Sequence, residues 1–365
     1  MGIPKSLSGK KGNPTGVVVF MAEIRPFRTF FYDGRIQKKL AHLVCPPYDV
    51  ISQKEQKKLL ARDRLNFVRV EMPLGKPSAK YRGAANIWKK WIRQGVIERD
   101  QRTAFYVYET RFRSQKTRKV LTRHGFFGAL RLVPWGKGVH PHEKTLATPK
   151  ADRLRLFKAL RVQTSPIQCL FHDPAGAGRK ILRRCRTGVP WIAFKETGST
   201  RHRLWRLESG PEVAKLRALL KKAAVVIADG HHRYETARAY SLWARQKWGK
   251  QSPASNYVMA CFSSTMDKGL EILPTHRAVG WNKRRYVRLE AWGRLLPVKE
   301  LGSALASGVG VFREGKFYRF HSSRVPPRLR QTPLRALAVA RLHAGALQGL
   351  GKEDFFFHQR PETVL

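Results

Sequence analysis

Two hydrophobic rhythms alternate along the chain, and together they predict a mixed α/β (α+β) architecture with a central mixed sheet and flanking helices. The sharpest change of rhythm is at Ala223-Ala224-Val225-Val226-Ile227-Ala228, followed by Asp229-Gly230-His231-His232-Arg233-Tyr234-Glu235-Thr236-Ala237. An apolar run rich in β-branched residues reads as a buried strand, and the polar burst passes into helical spacing through Ala237, Tyr240, Ala244 and Trp248. The predicted unit is a strand, a tight turn and a helix N-terminus.

The same reading gives further helices. Ser52-Gln53-Lys54-Glu55 is a capping box opening a helix to about Ala61, and Ala84, Ile87, Trp88, Trp91 and Ile92 give a helix from Ser78 that Gly95 stops. Thr148-Pro149 opens a helix with Leu154, Phe157 and Leu160 on one face. Ser209-Gly210-Pro211 opens another with Val213, Leu216, Leu219 and Leu220 apolar, and Ala336 to Leu347 form the last. Strands are predicted at 104–112, 125–133, Tyr257–Phe262 and Leu270–Leu273, with hairpins at 191–208 and 309–320, the latter turning at Glu314-Gly315. No Asn-Gly turn joins the first two strands, which leaves their pairing open. Residues 1–22 read as a flexible N-terminal extension, 23–330 as the α/β core and 331–365 as a C-terminal helix and tail.

At 365 residues and 42% hydrophobic content, the chain can bury a sizeable core. The 72 Lys and Arg against 25 Asp and Glu give a net charge of +47, spread over the whole length rather than gathered in one arm. Such a field attracts nucleic acid, nucleotides and acidic surfaces without sequence preference. The four cysteines show no C-x-x-C pair and no metal-ligand spacing, which suits a reducing cytoplasm. No apolar run approaches the roughly 18 residues that span a bilayer, so no membrane partner is expected. No internal repeat, P-loop or G-x-S-x-G element occurs.

Three clusters carry candidate chemistry. At the first, the unpartnered N–H groups of a helix start attract an anion, and Gly230 lacks the Cβ that would keep a phosphate away. Asp229, His231, His232 and Arg233 stand around it. The competing reading makes Asp229 a helix cap and His231 with Glu235 a surface pair. The second cluster is His140, His142, Glu143, Lys144, Asp152 and Arg153, where the histidine spacing argues against a metal and favours acid/base or phosphate contacts. The third is His276-Arg277, expected at a strand end. A separate rigid corner is set by Pro46-Pro47, which holds Tyr48 and Asp49.

Pro46-Pro47-Tyr48-Asp49-Val50-Ile51, His142-Glu143-Lys144-Thr145 with Asp152-Arg153, Ala228 to Ala237, and Leu273-Pro274-Thr275-His276-Arg277 form, in this order, a set that resembles the bacterial and archaeal family called domain of unknown function 1015 (DUF1015), over roughly residues 23–330. The Asp-Gly-His-His-Arg element is also similar to the motif of the ParB, sulfiredoxin and free-serine-kinase superfamily, whose members hold nucleotide phosphates with a strand–turn–helix. Family members continue past the point corresponding to Phe355 through a Pro-Pro-Lys-Ser-Thr stretch, so that segment is expected to be missing here. The resemblance implies a cytoplasmic, nucleotide-dependent phosphotransferase, kinase-like, acting on a small hydroxyl compound with ATP or ADP and Mg²⁺. Asp229 is then the base, with Glu143 and His142 as further catalytic groups. Gly230, His231, His232, Arg233, Lys144, Arg153, His276 and Arg277 would bind phosphates, the three clusters lining one cleft. The rival expectation is a non-enzymatic ParB-like binder of nucleotide or nucleic acid.

Overall fold

The computed structural model describes residues 22–358 except 77, 115–116, 142–146, 197, 250–252, 272–275, 281–288, 301, 304–308, 323, 331–337 and 351–354; of 147–150, 276–277, 328, 338–340 and 355–358 it describes the backbone only. The chain divides into two compact units, Met1–Glu271 and Ile272–Leu365.

In the first unit, β1 (Ile24–Arg25) and β2 (Phe30–Tyr32) precede α1 (Leu40–Leu43), α2 (Gln53–Arg62), α3 (Val68–Glu71) and α4 (Lys80–Arg93). Then come β3 (Ile97–Arg99), β4 (Phe105–Arg113), β5 (Val120–Arg131), β6 (Val139–His140), α5 (Ala147–Leu160), β7 (Ile167–Phe171) and α6 (Ala177–Arg184). The unit ends with β8 (Ile192–Lys195), β9 (Arg201–Leu207), α7 (Pro211–Lys222), β10 (Val225–Asp229), α8 (His231–Trp248) and β11 (Tyr257–Ser264).

Local chemistry sets several boundaries. The Ser52 side chain accepts from the Glu55 N–H at 3.2 Å, which caps α2, and Pro211 occupies the first turn of α7 after Gly210. On α4, Tyr81, Ala84, Ala85, Trp88 and Trp91 are buried, a stripe at the three-to-four spacing of a helix, whereas Ile92 is exposed. The buried face of α5 carries Leu156 and Leu160, with Phe157 stacked on Tyr240 of α8 at 3.8 Å. Leu154 is only half-buried, and α5 packs against both α4 and α8.

Nine strands form one mixed sheet, eight of them in the order β6-β10-β7-β11-β5-β4-β9-β8 and β1 off this path. β4 and β5 pair antiparallel, and the last residues of β5, beyond the reach of β4, pair with β1. β6 runs parallel to β10 and β7 parallel to β11, while β10 is antiparallel to β7. The C-terminal end of β10 therefore meets the N-terminal ends of β7 and β11. One sheet face packs Phe105, Val107, Phe126, Cys169 and Phe262 against α6, α7 and α8; from the other, Ile192 joins the stripe of α4 and the buried face of α5.

The second unit contains the antiparallel pair β12 (His276–Val279) and β16 (Phe355–His358), and a three-stranded sheet of β13 (Arg294–Val298), β14 (Val309–Arg313) and β15 (Lys316–His321), with α9 (Ala338–Ala344). Glu314 and Gly315 both take positive φ, the geometry of a two-residue hairpin turn. The expected strand at Leu270–Leu273 is corrected over its described part: Leu270 N–H bonds to Asp267 O at 3.1 Å and the Asp267 carboxylate accepts from Gly269 N–H at 2.8 Å. A side chain bonded to its own turn outcompetes the β pattern there. His276-Arg277 accordingly begins a strand instead of ending one.

Candidate functional site

The turn after β10 departs from an ordinary helix start. Gly230 has φ +89°, and a Cβ there would come within 3.0 Å of the Arg233 guanidinium carbon and of Ile167 Cγ2. The glycine thus serves a left-handed backbone and the arginine folded over it; Arg233 and Ile167 fill the space that the sequence reading left for a phosphate. No side chain caps α8, so Asp229 is not its N-cap. His231 is 2% exposed beside the Trp135 ring, so it is not a surface residue, and Trp135 Nε1 donates to Glu235 at 3.3 Å.

Arg233 is the hub of the turn. Its Nη2 donates to Asp229 Oδ2 and, at 3.2 Å, to Asp49 Oδ2, while Nη1 donates to the carbonyl of Pro166. Burial opposes the charge, but Asp49 and Asp229 outweigh it and the guanidinium is held more basic than usual. The arginine side chain is only 9% exposed, whereas the Asp229 side chain is 65% exposed. A buried cation therefore presents an accessible carboxylate at the start of a helix.

Behind Arg233 lies a chamber of about 50 Å³, lined among others by Tyr48, Glu71, Arg153, Ser165 and Thr236. Glu71, 1% exposed, is its pin: Oε1 accepts from Tyr48 N–H at 3.2 Å and from Ser165 Oγ at 2.8 Å, and its backbone carbonyl accepts from Arg153 Nη1 at 2.6 Å. Arg153 lies over the Tyr48 ring at 4.3 Å, and its Nε donates to Asp152 at 3.0 Å. Burial would raise the pKa of Asp152, yet bonds from Lys80, Tyr81 and Arg153 hold its carboxyl well below the usual range. Burial, with Asp49 nearby, pushes the Tyr48 phenol up to about 12. Four buried atoms of chamber-lining residues have no protein partner: Tyr48 Oη, Glu71 Oε2, Arg233 Nε and Thr236 Oγ1. Buried polar groups rarely stay unpaired, so a donor–acceptor set left open marks a place for polar atoms from outside the chain.

Of the predicted residues, Asp229, Gly230, His231, His232 and Arg233 share the turn, and Arg153 joins Arg233 at the chamber. His142, Glu143 and Lys144 lie outside the described residues. The elements on either side of them, β6 parallel to β10 and α5 with Arg153, both lead to this end of the sheet. His276 and Arg277 open β12 of the second unit. The sequence reading missed Glu71 and Ser165, and it took Tyr48 and Asp49 only as scaffolding. Asp49 was within reach, since it follows a Pro-Pro pair in one of the four motifs. Glu71 carries no such signal.

Compared with known proteins, the chain matches the model of the DUF1015 family, described as a protein of unknown function, over residues 24–340, and it belongs to that family. No curated protein matches it, nor does any solved structure. Among the described residues, no helix is long and apolar enough to cross a membrane.

Proposed function

We propose that the Asp229 turn is the reaction centre of a nucleotide-dependent phosphotransferase acting on a small hydroxyl compound. The observation that carries this reading is the accessible Asp229 carboxylate, braced by buried Arg233 at a helix start that no side chain caps. Asp229 accepts the proton of the substrate hydroxyl, and Arg233 orients it instead of reaching a phosphate. The N–H groups of the first turn of α8, with His232 beside them, take the phosphate charge. The chamber's unpaired atoms supply hydrogen bonds to the polar end of the acceptor. Asp49 and Asp229 are the carboxylates that would hold a Mg²⁺ arriving with ATP or ADP. Among the described residues no set of three His, Cys, Asp or Glu could hold a metal, so phosphate and water would complete its shell.

A second reading, a non-enzymatic ParB-like nucleotide or nucleic-acid binder, is favoured by the +47 charge and by one patch on α5 and α8. There Lys158 lies over Trp243 at 4.9 Å, Arg161 over Trp248 at 4.9 Å, and the two tryptophans meet edge to face at 5.0 Å. Phosphoryl transfer from labelled ATP and ADP to a panel of small hydroxyl compounds separates the two. Turnover supports the first; nucleic-acid binding that weakens steeply with salt, without turnover, supports the second.

A further inference from the structure

Val162, Gln163, Thr164 and Val258 line the polar chamber and also a much larger cleft, of about 530 Å³. That volume falls within the roughly 300–1,000 Å³ of small-molecule sites. Its aromatic wall includes Phe30, Phe67, Trp88 and Tyr257. Trp88 meets Phe30 edge to face at 5.0 Å and Phe67 at 6.3 Å, so the rings lock one another and the wall is formed in advance. Guanidinium groups cover parts of it, Arg99 lying over Phe30 at 5.7 Å and Arg25 over Tyr257 at 4.9 Å.

The charge around the cleft is one-sided. Arg25, Arg28 and Arg99 line it, and among the described residues no Asp or Glu does. Arg25 is neutralised by Glu23 at 2.7 Å, but Arg28 and Arg99 have no ion-pair partner among the described residues. An apolar, ring-lined slot edged by unpaired guanidinium groups complements a ligand with a flat apolar body and a negative end. We propose that this cleft binds a planar aromatic anion of mononucleotide size, its ring against the aromatic wall and its anionic group at Arg28 and Arg99. The site is separate from the Asp229 chemistry: it holds its ligand whether or not a phosphoryl group is transferred.

The test uses the full chain at fixed salt, with adenosine monophosphate, adenosine and ribose 5-phosphate titrated calorimetrically. The nucleotide should bind at least about tenfold more tightly than either fragment, since each fragment lacks one half of the recognition. Arg28→Gln combined with Arg99→Gln should weaken the nucleotide by roughly tenfold or more and leave adenosine unchanged. Arg28 is exposed and Arg99 is on a short strand facing solvent, so the fold should survive, which a melting curve checks. Thr103→Trp, at an exposed position lining the cleft, should weaken nucleotide and nucleoside alike by filling it. The titrations contain no ATP, ADP or Mg²⁺ and read binding alone, so a missing phosphotransfer activity and a missing cleft ligand are told apart. The proposal is overturned if adenosine monophosphate fails to bind at millimolar concentration, binds no better than ribose 5-phosphate, or is unaffected by the double arginine change. Displacement of the nucleotide by a single-stranded oligonucleotide at a hundredfold lower concentration would also overturn it in favour of a nucleic-acid groove.

Discussion

The polar chamber and the aromatic cleft share a wall and lie at the same end of the sheet, yet they are built on opposite principles. The chamber is small and charged, and each of its ionic groups is held by a partner: Arg233 by Asp229 and Asp49, Arg153 by Asp152, Glu71 by the Tyr48 N–H and the Ser165 hydroxyl. What it leaves open are single hydrogen-bonding atoms. The cleft is about ten times larger and mostly apolar in its walls, and what it leaves open are whole charges, Arg28 and Arg99. Open hydrogen-bonding atoms in a dry space discriminate by geometry, because a ligand that misses one leaves it unpaired. Open charges on an apolar rim give affinity and attraction at a distance but tolerate many shapes. On the proposed readings, selectivity belongs to the chamber and capture to the cleft.

The largest effect that separates the two regions is on catalysis. Asp229→Asn keeps the shape of the side chain and removes its charge, and general-base catalysis supplies roughly two to four orders of magnitude. Turnover should fall by that amount while the melting temperature moves little, since Asp229 caps no helix. An unimpaired rate would remove the base role.

Next in size is Glu71→Ala. It strips the acceptor from the Tyr48 N–H and the Ser165 hydroxyl inside a buried site, each worth about 1–3 kcal/mol when left unpaired. A loss of about 2–4 kcal/mol in denaturant-induced unfolding is expected, with nucleotide affinity of the cleft unchanged. If cleft binding collapsed along with stability, the two regions would be one coupled site.

The sequence exposes what is local and hides what is assembled. Ser52 with Glu55, Gly210-Pro211, Glu314-Gly315 and the Ala223–Ala237 transition are legible because cap, turn and periodicity are encoded within a few residues. Glu71 is not, because nothing in Val68-Arg69-Val70-Glu71 tells that its carboxylate meets Ser165 across 94 positions. The strand order is hidden for the same reason, β1 pairing with β5 about a hundred residues later. Arg233 was legible as chemistry but not as orientation. A basic residue after Asp-Gly-His-His looks free to meet a phosphate, and only the fold turns it back onto Asp229, Asp49 and Pro166.

A smaller effect tests that orientation. Gly230→Ala imposes a left-handed conformation on an L-residue, costing about 1–2 kcal/mol, and its methyl meets the folded-back Arg233. Gly176→Ala is the matching control, left-handed at the start of α6 with φ +64° and no atom nearer than 3.9 Å to its added carbon. Both should lower stability by similar amounts in chemical denaturation. Only Gly230→Ala should also reduce turnover, because it displaces the support of Asp229; equal turnover losses would mean that the contact between glycine and arginine is incidental.

The smallest effect belongs to the cleft rim, where Glu23 does on the surface what Glu71 does in the interior. Glu23 accepts from Arg25 Nε and Tyr257 Oη, each at 2.8 Å, and from Arg131 Nη1 at 2.6 Å, joining β1, β5 and β11 beside the cleft. Partial burial opposes its charge, but the bonds from Arg131, Tyr257 and Arg25 prevail and bring its pKa from the ordinary 4.5 down to about 2. A carboxyl whose pKa is lower in the folded state binds its proton more readily when unfolded, so acid favours unfolding. Its contribution is complete above pH 4.5 and fades as the pH falls towards about 2. Near neutrality, Glu23→Gln should cost no more than about 1 kcal/mol, the scale of a solvent-screened ion pair. Between pH 4.5 and about 2 the unfolding free energies of wild type and variant should converge as Glu23 takes up its proton. Curves that stay parallel through that window would show that the rim cluster contributes nothing to holding the three strands together.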